Sequence, residues 1–250
     1  MKEKYTPGHT KSSVGFMSQR SIETHGNFLL PFLIDGLSVL DCGCGPGSLT
    51  CDIAERTPNG KALGIDLEES QIKAAKDDAN LRGIKNATFE QVNVYNLQKM
   101  DKTFDVVFSH ALLEHLVDPA KAIEQFHQVL KPGGILAVCS PDWGGFLLAP
   151  SSNELTEAIE TYKDLQISNG GDVFIGSKLS TLFESAGFAE IKMAARYEVY
   201  ESLNLIGKYL AIQLEKAGES THGNSLREWM NQPNGMFAQA WVSCTGKKIC

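Results

Sequence analysis

Two carboxylates and three glycines are the first residues of this chain whose types and spacing could do chemistry. The segment Val39-Leu40-Asp41-Cys42-Gly43-Cys44-Gly45-Pro46-Gly47 carries Asp41 and the glycines at alternate positions, and Asp66 follows in Gly64-Ile65-Asp66. A glycine turn between a strand and a helix lets the backbone approach a ligand closely at the helix N-terminus. A carboxylate about 19 residues further on, at the end of the next strand, suits the two hydroxyls of a ribose. The spacing is Gly-x-Gly-x-Gly, with Ser48 where a nicotinamide-dinucleotide fingerprint would put its third glycine. A nucleoside-containing ligand is therefore expected, and a nicotinamide dinucleotide is the weaker candidate.

The elements that must position these residues are legible around them. Leu37 to Leu40 reads as a buried strand ending at Asp41. A helix opens at Ser48, turns Leu49, Ile53 and Ala54 inward and stops at Thr57-Pro58-Asn59-Gly60. Ala62 to Ile65 gives a second strand. Its helix starts at Ser70, carries Ile72, Ala75 and Ala79 on one face and ends at Gly83. Ala87 to Val94 and Phe104 to Phe108 read as the third and fourth strands. Asp118-Pro119 is a helix start, an N-cap oxygen followed by proline at the first helical position. Lys131-Pro132-Gly133-Gly134 stops that helix before a fifth strand, Ile135 to Cys139. Strands alternating with helices predict an α/β fold, a doubly wound and mostly parallel sheet.

Three stretches break the rhythm: 1–30, 141–175 and 197–235. The second contains a capping box, Ser151 to Glu154, before a helix bearing Leu155, Ile159 and Tyr162; the third predicts two helices. We expect one domain, with a core over about 31–140, 176–196 and 236–248. The three irregular stretches form a mainly helical cap over the carboxyl edge of the sheet, where such sheets bind ligands.

Composition narrows the classes. The 250 residues are 42% hydrophobic and 21% charged, ordinary for a globular chain, so collagen-like and disordered readings fall away. There are 23 basic and 30 acidic residues, for a net charge of −7, which disfavours nucleic acid and anionic membranes as partners. The N-terminus lacks the apolar core of a signal peptide, and the apolar stretch Phe28 to Ile34 is short and interrupted by Pro31. Cysteines at 42, 44, 51, 139, 244 and 250 form no Cys-x-x-Cys pair. These features point to the cytoplasm, to buried thiols and to no metal site.

The segment Val39 to Gly47, then Gly64-Ile65-Asp66, then Phe104 to Leu116 with Leu113-Glu114-His115-Leu116, and then Leu130-Lys131-Pro132-Gly133-Gly134 resembles, in order, the signatures of the class I S-adenosylmethionine-dependent methyltransferases. The resemblance covers roughly residues 35–140. It implies a Rossmann-like sheet of seven strands, the last antiparallel, and Met236 to Lys247 is available for that strand. It implies an enzyme with S-adenosylmethionine as cofactor and S-adenosylhomocysteine as product. Asp41 and the backbone of Gly43, Gly45 and Gly47 would lie beside the methionine part. Asp66 would hold the ribose, Leu67 would pack on adenine, and Asn93-Val94, with Gln71, would complete the nucleoside end. Ser109 would lie near the methionine end, and Gln19 would meet the cofactor carboxylate.

For the acceptor side the candidates are fewer. His110 follows the fourth strand and Asp142 the fifth; with His9 and His25 of the N-terminal stretch they are the candidate catalytic groups. Tyr5, Phe16, Trp143 and Tyr162 are expected to line the substrate pocket. His115 reads as scaffold within its signature, and Trp229 and Trp241 as core. An aromatic cap on an acidic chain favours a small organic acceptor, methylated on O, N or C. No Asn-Pro-Pro-Tyr-like stretch follows the fourth strand, which argues against amino-group methylation of nucleic acids and protein amides. A monomer or homodimer is expected. The alternatives are an NAD-dependent oxidoreductase and a non-catalytic S-adenosylmethionine-binding protein.

Overall fold

The computed structural model describes residues 5, 6, 8, 15, 17–200 and 203–249. Seven strands, β1 (Ser38–Cys42), β2 (Lys61–Asp66), β3 (Ala87–Gln91), β4 (Phe104–His110), β5 (Leu130–Ala149), β6 (Phe188–Val199) and β7 (Met236–Lys248), form one sheet in the order β3-β2-β1-β4-β5-β7-β6. The pairs from β3 through β5 are parallel, and β7 runs antiparallel between β5 and β6. The doubly wound sheet with an antiparallel last strand is thus as the motifs implied.

Helices α1 (Ser48–Arg56), α2 (Glu69–Leu81), α3 (Pro119–Val129) and α5 (Ile175–Ser185) cover the sheet. Parallel strands buried on both faces must be apolar along their whole length. Val39, Leu40 and Cys42 of β1 and Val106, Val107 and Phe108 of β4 are all buried. Asp41 is the polar exception in β1, and it points to the site. Helix α3 begins as its sequence requires: the Asp118 carboxylate accepts from the Lys121 amide at 3.0 Å, with Pro119 in the first turn. At the other end of α3, Lys248 of β7 donates to the carbonyls of His127 and Leu130 at 2.8 Å each. That places a cation on unsatisfied C-terminal carbonyls.

Several boundaries differ from the sequence reading. β3 stops at Gln91 rather than Val94, because Asn93 caps a short 3-10 helix, Val94–Met100, by accepting from the Tyr95 amide. The cap of α4 (Asn153–Ser168) is Ser152, not Ser151; its extended backbone brings Oγ to the Leu155 amide at 3.2 Å. The largest difference is in β5, which continues past Cys139 to Ala149. Its register with β7 jumps from Asp142↔Ala240 to Phe146↔Gln239, so residues 143–145 loop out as a bulge and pairing resumes. Pro141 and Gly144-Gly145 look like a turn in the sequence. A long partner strand carries the ladder across them.

The far halves of β5, β6 and β7 therefore project beyond the central sheet. Helices α4, α6 (Leu203–Lys216) and α7 (Ser220–Trp229) pack on them around a second apolar core that includes Trp143, Ile159, Leu210, Trp229 and Phe237. Each such side chain, fully buried, is worth about 1.5–3 kcal/mol. This projecting layer faces the turn that follows β4.

Candidate functional site

Two cavities share a wall, and the projecting layer lines the smaller of them. The larger, about 200 Å³, sits on the glycine turn at the carboxyl ends of β1, β2 and β4. Its floor is built by β1 running out at Cys42. The amides of Gly43 and Cys44 then both donate to the Ile65 carbonyl of β2, at 2.8 and 2.9 Å. The Asp66 carboxylate clamps the turn: one oxygen accepts from the Gly45 amide and the other from the Glu68 amide, each at 3.0 Å. At Gly45 (φ +53) an added Cβ would meet nothing closer than 3.9 Å, so the turn leaves a cradle that only glycine keeps open.

Asp41, 3% exposed, lines the same cavity and accepts from the Thr50 hydroxyl of α1 at 2.6 Å. Burial pushes its carboxyl up to about 7, against the lowering effect of the Thr50 bond, and the Asp66 charge adds to the rise. A carboxyl with a raised folded-state pKa binds its proton more tightly folded than unfolded. Stability is therefore lost as pH rises from about 4 toward 7. Asp41→Asn, which keeps an acceptor for Thr50 without the charge, is expected to flatten this slope and raise the melting temperature at pH 8. Parallel pH slopes in urea denaturation of both proteins would refute the assignment.

Most of the proposed nucleoside-side residues meet in this cavity. Gly43, Gly45, Asp66, Leu67, Gln71, Asn93 and Val94 line it together with Asp41. The Asn93 side-chain oxygen is already engaged as the cap noted above. Two residues lie beneath it rather than on its wall. Gly47 is the left-handed N-cap of α1, packed on Ala75 and Phe89. Ser109 is buried and donates to the Cys42 carbonyl at 3.0 Å, tying β4 to β1. Gln19 is exposed and lines neither cavity; its neighbour Arg20 lines both.

The smaller cavity, about 60 Å³, is lined by Trp143, Tyr162, Tyr200, Tyr209, Glu114 and Gln239, among others. Tyr5, Met17, Arg20, Ala111 and His115 line both cavities and form their common wall. Ala111 holds a left-handed backbone (φ +57) directly after β4, where a non-glycine residue is strained. Of the expected substrate residues, Tyr5, Trp143 and Tyr162 are here, while Phe16 lies outside the described residues.

The candidate catalytic groups separate. His110 lines the larger cavity, stacked on Trp241 at 4.9 Å, and neither ring nitrogen has a hydrogen-bond partner among the described residues. Burial, with Arg20 nearby, holds its pKa well below the usual histidine range, so the ring is neutral. His25 lines neither cavity. Its Nδ1 faces Thr24 Oγ1 at 2.7 Å and its Nε2 lies 3.4 Å from Glu198, so it braces His110 edge-on from behind. Asp142 lines neither cavity. Its carboxylate accepts from the Gly144 and Ser177 amides at 2.8 and 2.7 Å, stabilising the bulge and the first turn of α5. His9 lies outside the described residues.

Several wall residues escaped the sequence reading. His115 and Trp241, read as scaffold and core, line cavities; Arg20 and Glu114 carried no local signal beyond adjacency to Gln19 and membership of a signature, and Met17, Tyr200 and Gln239 carried none. Glu114 is 2% exposed. Its carbonyl accepts from Gln166 Nε2 of α4 and from the Asp172 amide, both at 3.0 Å, which locks the turn to the projecting layer. Burial pushes its carboxyl up to about 7, opposed by its own amide, Ser140 and Arg20. His115 is held neutral, pushed down to about 3 by burial and by Arg20. Among the described residues no group of His, Cys, Asp and Glu is arranged to hold a metal ion, and no helix is long and apolar enough to cross a membrane.

Known proteins resemble this arrangement. A family model described as a methyltransferase domain matches residues 33–187. The trans-aconitate 2-methyltransferase of Deinococcus radiodurans is 33% identical over 215 residues, covering 84% of this chain and 78% of that protein. The Aspergillus luteorubrus protein named probable methyltransferase ltbC is 35% identical over 142 residues, covering 53% of this chain and 50% of that one. The chain spans about half the length of the first curated relatives it matches. Among solved structures, the Bacillus subtilis YcgJ protein superposes with a TM-score of 0.63 at 18% identity, covering 90% of this chain and all of that one. Phosphoethanolamine N-methyltransferase 2 of Haemonchus contortus, solved with S-adenosylhomocysteine, gives a TM-score of 0.63 at 15% identity, over 96% of this chain and 58% of that one.

Proposed function

The chain belongs to the methyltransferase-domain family, and from that premise we propose that it transfers the methyl group of S-adenosylmethionine to a small organic acceptor held in the smaller cavity. The observation that carries this reading is the common wall: Tyr5, Met17, Arg20, Ala111 and His115 line both cavities, so two ligands would meet there without bulk water between them.

The residues on the larger cavity fit the cofactor. Asp66, fixed by two backbone amides, accepts the ribose hydroxyls. Leu67 and Val94 offer apolar surface to the adenine, and the Gly43–Gly45 backbone lies beside the methionine chain. Arg20 pairs with the carboxylate, the role the sequence suggested for Gln19. When bound, the sulfonium supplies a methyl group already activated for transfer. The protein's part is then to align acceptor and donor and to exclude water. Tyr5 and Met17 close the wall from the N-terminal segment, and Tyr162, Tyr200 and Tyr209, whose pKa values burial raises, stay neutral hydroxyls around the acceptor. His110 serves as a neutral contact at the donor end.

The net charge of −7 and the small aromatic-lined cavity support a small molecule over nucleic acid as acceptor. Cys42, Cys44, Cys51, Cys139 and Cys244 are buried free thiols, which suits a cytoplasmic protein. We read core and projecting layer as one domain. β5 and β6 run continuously through the expected core–cap boundaries.

Calorimetry tests the reading. S-adenosylmethionine and S-adenosylhomocysteine are expected to bind and NADH is not; NADH binding without S-adenosylmethionine binding would overturn it in favour of an oxidoreductase. Arg20→Ala is expected to weaken S-adenosylmethionine roughly tenfold or more, the loss of a charge-assisted pair. An unchanged Kd would move the carboxylate elsewhere.

A further inference from the structure

Four side chains lining the smaller cavity carry a buried polar atom with no hydrogen-bond partner among the described residues: Glu114 Oε2, His115 Nδ1, Gln239 Nε2 and Trp241 Nε1. Glu114 is 2% and Gln239 4% exposed. A buried orphan is costly, and a wall that holds an acceptor at Glu114 and N–H donors at Gln239 and Trp241 is one whose bonding a ligand would complete.

A carboxylate only accepts and an amide nitrogen only donates, whereas a hydroxyl does both. A hydroxyl can give its proton to Glu114 and a lone pair to Gln239. An ammonium group has no lone pair for Gln239 Nε2 or Trp241 Nε1, and a carboxylate group has no proton for Glu114. Charge points the same way. The Arg20 guanidinium stands in the common wall and repels a cationic acceptor. The tryptophan faces on this wall are already engaged: Trp241 carries His110 stacked at 4.9 Å and Arg20 at 5.5 Å, and Trp143 packs on Tyr162 at 5.4 Å.

We propose that the acceptor bears an uncharged, weakly acidic hydroxyl of the phenol or enol class, and that Glu114 is the catalytic residue that receives its proton. This rests on the larger cavity being the S-adenosylmethionine site. Glu114 lies in the turn between Ala111 and His115, which both line the common wall. The acceptor oxygen forms the new O–C bond while the S–C bond breaks, its electron pair going to sulfur, and the hydroxyl proton passes to Glu114 Oε2. The sulfonium and the carboxylate are both neutralised, so charge balances.

The charged and titratable groups that face Glu114 are Arg20 and Tyr5 from the N-terminal segment, His115 beside it, Cys139 in β5 and Tyr162 in α4. His115 is neutral throughout, and burial raises the tyrosines and moves the Cys139 thiol up to about 12. Glu114 is therefore the group of this set that changes charge near neutral pH, becoming a base as pH rises through about 7.

Phenol, benzoate and benzylamine share one ring and differ in charge, and each can be titrated by calorimetry into protein saturated with S-adenosylhomocysteine. Phenol is expected to bind best, about tenfold tighter at pH 8 than at pH 6, as a charge-assisted bond replaces a neutral one. In Glu114→Gln that pH dependence is expected to vanish while S-adenosylhomocysteine affinity stays within about threefold, since the side chain is outside the larger cavity. Preference for benzylamine or benzoate, binding of none of the three, or a pH-independent phenol affinity in the native protein would each overturn the proposal. Should Glu114→Gln fail to fold, the native pH dependence decides alone. S-adenosylhomocysteine binding is measured first, without a ring compound, so its failure would overturn the functional reading separately.

Discussion

Replacing Asp66 by alanine is expected to weaken S-adenosylmethionine binding by one to two orders of magnitude. Two losses add. The carboxylate proposed to accept the ribose hydroxyls is gone, a hydrogen bond to a charged group worth about 1.5–3 kcal/mol. The Gly45 and Glu68 amides, each 3.0 Å from the carboxylate, also lose their acceptor, so the glycine turn is no longer held against the start of α2. Asp66→Asn keeps one acceptor oxygen and should fall between wild type and Asp66→Ala. Calorimetry with S-adenosylhomocysteine reads both variants. An affinity for Asp66→Ala equal to wild type would show that the nucleoside does not lie along β2.

Gly47→Ala is expected to act on stability instead. Gly47 has φ +84, where an L-residue is strained by roughly 1–2 kcal/mol. Its added Cβ would lie 2.6 Å from the Ala75 Cβ, 2.9 Å from the Ala75 Cα and 3.0 Å from the Phe89 ring. The Ala75 Cα is backbone of α2 and cannot swing aside, so α2 would have to move off α1 and β3; overpacking of this kind costs about 1–3 kcal/mol more. A total near 2–5 kcal/mol is a large part of the roughly 5–15 kcal/mol that stabilises a domain. Gly45→Ala provides the contrast. Its Cβ would project into the cavity with nothing closer than 3.9 Å, so cofactor affinity should fall more than the urea midpoint. Equal urea midpoints for Gly47→Ala and wild type would refute the packing account.

The two glycines show where a sequence reading loses resolution. Their alternate spacing marks both as parts of one turn. Only the packing separates Gly45, which keeps a cavity open, from Gly47, which lets two helices and a strand close up. The same holds for Gln19 and Arg20. Neighbouring positions are indistinguishable as candidate carboxylate contacts until the backbone turns one to solvent and the other inward. Asp142 follows a strand at the carboxyl edge, where site residues collect, yet its oxygens are committed to two backbone amides.

What the sequence determined by itself was the parallel core and the residues that line the larger cavity around the glycine turn. Strand periodicity, the glycine turn and Asp66 are local: each lies within one βαβ unit whose geometry follows from short-range sterics and hydrogen bonding. The smaller cavity was decided by the tertiary structure. Glu114 after β4, Trp143 in the β5 bulge, Tyr162 in α4, Tyr209 in α6 and Gln239 in β7 are far apart in the chain. They meet because β5 and β7 keep pairing beyond the core and carry the helices that pack on them. No local pattern encodes that meeting. It depends on long-range strand register, and on burial that gives a glutamate inside a family signature a carboxyl oxygen with no partner of its own.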